Sequence, residues 1–106
     1  MTFNTGAALL DALVLSAVDQ SDTYGYKITQ DVRGVVDVSE STLYPVLRRL
    51  QKNGWLAAYD KEHQGRNRRY YTITPNGQTQ LAEARTEWKT YRKKIENLLL
   101  GGTSDE

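Results

Sequence analysis

The chain of 106 residues contains no cysteine, one histidine, one methionine and two prolines. Without cysteine there is no disulfide, no thiolate nucleophile and no cysteine metal motif, and a small domain built without such staples suits a reducing compartment. Long apolar runs are missing too. The longest, residues 7–18, is interrupted by Asp11 and Ser16, and it falls short of the roughly 20 residues that cross a bilayer. No basic leader with a cleavage pattern precedes it, so the expectation is a soluble, cytoplasmic chain without a membrane partner. Net charge is also nearly absent, with 14 Lys plus Arg against 13 Asp plus Glu. The balance is global and not local: residues 1–38 hold two basic and five acidic side chains, whereas residues 39–75 hold seven basic and three acidic. The field of one face governs a polyanionic partner, so near-neutrality excludes none.

What is present is an ordinary globular composition, 39% hydrophobic and 25% charged, of a size for one domain whose core is marginal without self-association. Residues 7–18 read as a helix apolar on two sides: Leu9, Leu10, Leu13, Val14 and Ala17 line one, and Ala8, Ala12 and Leu15 another. Such a helix needs neighbours around it. Residues 24–32 read as a second short helix ending near Gly34. A third helix follows, capped by Ser39 or Ser41, with Leu43, Val46, Leu47 and Leu50 as one buried stripe. Pro45 has no N–H and fits best in a first turn, which favours the later start. Asn53-Gly54 ends this helix.

Residues 55–60 and 69–74 read as strands of a hairpin, joined by a basic tip that includes Gln64, Gly65, Arg66, Asn67, Arg68 and Arg69. His63 lies near that tip, without a partner at metal or catalytic spacing, and reads as a solvated loop residue. Tyr70 and Tyr71 must face opposite sides of their strand. Thr74-Pro75 starts a last helix, whose Leu81, Ala84, Trp88, Tyr91, Ile95 and Leu98 are spaced as a heptad seam. Lys89, Arg92, Lys93 and Lys94 read as its solvated face. The first five residues and residues 101–106 read as frayed ends.

Three helices followed by a hairpin is the order of a winged helix-turn-helix: mainly α with a small β-hairpin, plus one long C-terminal dimerisation helix. Ser41, Thr42, Tyr44 and Arg48 on the exposed side of the third helix are candidates for major-groove contact. Arg66, Arg68 and Arg69 are candidate wing contacts, and Lys27 and Arg49 weaker phosphate candidates. A solvated helix face explains charges on one element; a second basic cluster at the hairpin tip favours double-stranded DNA. No metal, cofactor or enzymatic constellation is expected. A winged-helix protein-interaction module meeting an acidic partner remains the alternative from another class.

Two blocks carry a family resemblance: Ser41-Thr42-Leu43-Tyr44-Pro45-Val46-Leu47-Arg48-Arg49-Leu50, and Gly65-Arg66-Asn67-Arg68-Arg69-Tyr70-Tyr71-Thr72-Ile73-Thr74 with Gly77. With Tyr24-Gly25-Tyr26 they resemble the PadR family of bacterial transcriptional regulators, over about residues 5–100. The resemblance implies a homodimeric repressor of operator DNA, with residues 1–75 as the DNA-binding domain, 76–100 as the dimerisation helix and 101–106 as a disordered tail. The expected seam is Leu81, Ala84, Trp88, Tyr91, Ile95 and Leu98. Trp88 resembles the tryptophan with which drug-sensing short members stack on flat ligands. A small planar aromatic effector, stacked on Trp88 with Tyr91 and the Leu10 and Val14 side of the partner's first helix as apolar walls, is the matching expectation, as is a multidrug-sensing repressor of an efflux pump.

Overall fold

A computed structural model describes residues 6–101; the ends expected to fray, residues 1–5 and 102–106, lie outside them. The element order is α1 (Ala7–Gln20), β1 (Thr23–Tyr24), α2 (Gly25–Arg33), α3 (Glu40–Lys52), β2 (Leu56–His63), β3 (Arg66–Ile73) and α4 (Pro75–Leu99). This is mainly α with a small sheet, as the sequence pattern predicts. The first helix has neighbours all round it, contacting α2, α3, β3 and α4, which is why so few of its residues are polar. Its Val14, Leu15 and Val18 are buried with Ile28, Val32, Leu43, Leu47, Leu50, Leu56 and Leu81. Each large aliphatic side chain removed from water there contributes about 1.5–3 kcal/mol.

Two expectations are corrected. The N-cap of α3 is Ser39, not Ser41: the Ser39 side chain accepts the Thr42 N–H at 3.2 Å. Pro45 therefore sits inside the helix. Its missing N–H orphans the carbonyl four residues back, and that residue, Ser41, is exposed, where water can satisfy it. The hairpin is also longer than its apolar pattern suggests. A two-residue turn, Gln64 (φ 55°) and Gly65 (φ 80°), closes it directly between His63 and Arg66, the left-handed pair that suits the twist of antiparallel strands. Arg66, Arg68 and Arg69 thus lie on a strand, not in a loop.

The sheet has one strand more than expected. Tyr24, expected to open a helix, lies in β1, which pairs with β3 and gives the order β1-β3-β2. Register assigns the faces. Tyr71 lies opposite Thr23 and Ala58 and joins the core, whereas Tyr70 lies opposite Tyr24 and Tyr59 on the other face.

The start of α4 follows the sequence signal, with Thr74 accepting the Gly77 N–H at 3.0 Å and Pro75 in the first turn. Leu81 anchors this helix in the core. Beyond Tyr91 it leaves the body, and Leu98, Leu99 and Leu100 are 89, 74 and 71% exposed. The molecule is accordingly elongated, 56 × 26 × 20 Å.

Candidate nucleic-acid interface

The buried stripe of α3 fixes what its opposite side presents. With Leu43, Val46, Leu47 and Leu50 turned inward, Ser41, Thr42, Pro45, Arg48 and Lys52 are exposed. The Ser41 and Thr42 hydroxyls each lie 3.0 Å from Ser39 Oγ, as one network at the positive end of the helix. Tyr44 is half-buried at the flank because Gly25 lets it in: a Cβ on Gly25 would stand 3.1 Å from the Tyr44 ring. Tyr44 then borders an open cleft of about 250 Å³ with Tyr24, Tyr26, Arg68 and Arg69. That cleft joins α3 to the hairpin.

On the wing, Lys61 and Arg68 stand directly opposite one another. Like charges in that relation repel, and each is relieved on an aromatic face, Lys61 over Tyr70 at 5.1 Å and Arg68 over Tyr24 at 4.5 Å. Arg68 Nε is buried without a hydrogen-bond partner among the described residues, so this arginine is held chiefly by stacking. Arg66 and Arg69 are exposed. His63, expected in a loop, ends β2, its Nδ1 3.4 Å from the Tyr70 hydroxyl and its ring beside Tyr24. Tyr59 donates to Asp22 at 2.7 Å, and that bond raises the phenol above its ordinary value.

Two expected phosphate contacts are placed elsewhere. Arg49 is committed to α1: its guanidinium forks onto Asp11 with N–O distances of 2.5 and 3.2 Å. The hydrogen bonds raise its pKa against a partial desolvation that lowers it. Lys27 pairs with Asp31 at 2.7 Å and lines a polar depression between α1 and α2 with Gln20 and Ser16, away from the α3–wing cleft. Lys52, Tyr24 and Tyr26 join the surface instead. The Tyr24-Gly25-Tyr26 motif carried that signal.

A second cavity, of about 410 Å³, lies between α1 and α4 and is almost wholly apolar, lined by Leu9, Ala12, Leu13, Val35, Leu81 and Trp88 among others. Trp88 and Tyr91 have ring centroids 6.3 Å apart beside it. Of the expected walls, Val14 is fully buried and Leu10 packs against the same core, so neither lines this groove within the protomer. Successive α1 positions turn by about 100°, so Leu9 and Leu13 take the groove side instead. The expected seam of α4 is likewise divided: Leu81 packs within the protomer, Ala84 and Trp88 line the groove, and Ile95 and Leu98 project from the body. Among the described residues no helix is long and apolar enough to cross a membrane.

The family model for the transcriptional regulator PadR-like family matches residues 14–83, which spans α2, α3 and the wing. A transcriptional regulator of Mycobacterium tuberculosis is 34% identical over 92 residues, covering 86% of this chain and 82% of its own. Among solved structures, a Streptococcus mutans protein superposes with a TM-score of 0.86 at 38% identity, covering all of both chains. A PadR-like transcriptional regulator of Bacillus cereus superposes with a TM-score of 0.82 at 32% identity, over 92% of this chain and 97% of its own.

Proposed function

Because the chain belongs to the PadR-like family of transcriptional regulators, we propose that it represses transcription by binding operator DNA as a homodimer. It is a regulator rather than an enzyme. One observation carries the reading: Arg48 and Lys52 on α3, and Arg66 and Arg69 on the wing, are exposed cations with no ion-pair partner among the described residues. Cations without internal partners on two adjoining elements suit a phosphate backbone, with α3 in the major groove. Ser41, Thr42, Tyr44 and Arg48 face the bases; Arg66 and Arg69 hold the backbone, and Arg68 stiffens the wing that carries them. Residues 1–75 make up this DNA-binding part and the helix from residue 76 to 100 the dimerising part.

Selection from random duplexes tests this. The expected product is an inverted repeat whose half-sites lie about one helical turn, or a multiple of it, apart. Failure to enrich any duplex, with capture of acidic protein surfaces instead, would support the protein-interaction module.

The apolar groove favours a second element of the reading. Its size and its tryptophan suit a planar aromatic molecule, which would release the repressor only by binding a DNA-incompetent dimer more tightly than the DNA-bound one. Control of an efflux pump is one regulatory setting for such a sensor.

A further inference from the structure

We propose that Arg49, the basic residue of the recognition helix nearest α1, serves as a positioning residue: through Asp11 it sets the angle at which α3 is presented to DNA. The proposal rests on the DNA-binding reading above. Arg49 and Arg48 are adjacent in sequence and lie about 100° apart around the helix, so they leave it in different directions. Arg48 has no hydrogen-bond or ion-pair partner among the described residues, whereas Arg49 makes two parallel N–H···O bonds to one carboxylate on α1. Such a fork constrains direction as well as distance, because the guanidinium and carboxylate planes must align.

The partners differ in exposure, 45% for the Arg49 side chain and 18% for Asp11. Asp11 lines a recess with Ala12, Leu15 and Trp55, and it is the more buried member of the pair. The position is also telling at the level of the element. Leu9 and Leu13, two positions either side of Asp11, line the apolar groove on the far side of α1. The same helix therefore touches the recognition helix through an ion pair and the groove through its apolar side, and a displacement of α1 reaches α3 through the fork.

The experiment compares Asp11→Asn, Arg49→Lys, their double variant and Arg48→Ala. Each is titrated with a selected duplex and with a random-sequence duplex over a salt series, well below its melting temperature. For a positioning fork, Asp11→Asn and Arg49→Lys each reduce affinity for the selected duplex on the order of tenfold. Affinity for random duplex and the salt slope stay unchanged, and the double variant is no worse than either single one. A variant that merely folds less well loses affinity for both duplexes alike and leaves their ratio intact; that result overturns the proposal. So does a phosphate-contact result, in which Asp11→Asn binds as tightly as the parent or tighter while Arg49→Lys keeps its affinity. If Arg48→Ala itself leaves binding to the selected duplex unaltered, the DNA reading fails at its own residue, and the positioning role falls with it. A loss at Arg48→Ala with none at Asp11→Asn rejects the positioning role alone.

Discussion

At position 77 only hydrogen fits. A Cβ there would lie 2.1 Å from the Trp55 carbonyl oxygen and 2.8 Å from Ile73, because the first turn of α4 presses on backbone that already accepts the Thr74 N–H at 3.1 Å. Neither obstacle is a side-chain end that could swing aside cheaply. Gly77→Ala should lower the melting temperature by more than about 10 °C, from overpacking against fixed backbone. Gly25→Ala is the useful contrast, since its obstacle is the Tyr44 ring at 3.1 Å. That variant should melt close to the parent and lose operator affinity, because the displaced ring borders the α3–wing cleft. Calorimetry of the two variants beside a binding titration separates the outcomes. Equal melting losses would contradict the packing argument. Gly77 and the Tyr-Gly pair were visible in the sequence as members of a motif, but their reason, close approach of another element, was not, because no local pattern encodes what a distant residue will touch.

Among the elements, the helices were more legible than the wing. A stripe of four aliphatic residues on α3 gives a period that turn chemistry cannot imitate, and Thr74-Pro75 states a helix start outright. The wing hid its length because its far end is solvated on both faces, so residues 60–69 lose the apolar alternation by which strands are recognised. β1 was hidden for another reason: two residues are too few to carry a period. The commitment of Arg49 to Asp11, and of Lys27 to Asp31, could not be read either, since a charged residue on a helix looks the same whether its partner is a carboxylate or water. The resulting division of labour on the wing can be measured. Arg66→Ala should reduce the salt slope by about one per protomer and leave stability unchanged, since Arg66 has no ion pair among the described residues. Arg68→Ala should instead lower stability through loss of its Tyr24 contact by about 0.5–2 kcal/mol, with weaker binding to every sequence. Identical behaviour of the two variants would refute the assignment.

For the whole molecule, the heptad seam of α4 falls into two different surroundings. Its first member closes the protomer core while its last members project into solvent. Exposed leucines at three successive positions, 98 to 100, form an apolar surface beyond the body, which the proposed dimer would bury. Ile95→Glu with Leu98→Glu should convert a dimer to a folded monomer in sedimentation and weaken operator binding, as half-sites lose their linkage. A parent chain that is already monomeric at micromolar concentration would contradict it. The groove predicts that a planar cationic dye quenches the fluorescence of Trp88 and not of Trp55, so that Trp88→Ala abolishes the signal; quenching retained in that variant would remove the effector site from this groove.

The central claim, that an array of cations on α3 and the wing of both protomers meets the backbone of duplex DNA, is tested most directly by the salt dependence of binding to a selected duplex. With about four phosphates neutralised per protomer, log K should fall against log salt with a slope of roughly −7. A slope near zero with affinity retained would mean that these cations do not meet phosphate, and would contradict the claim.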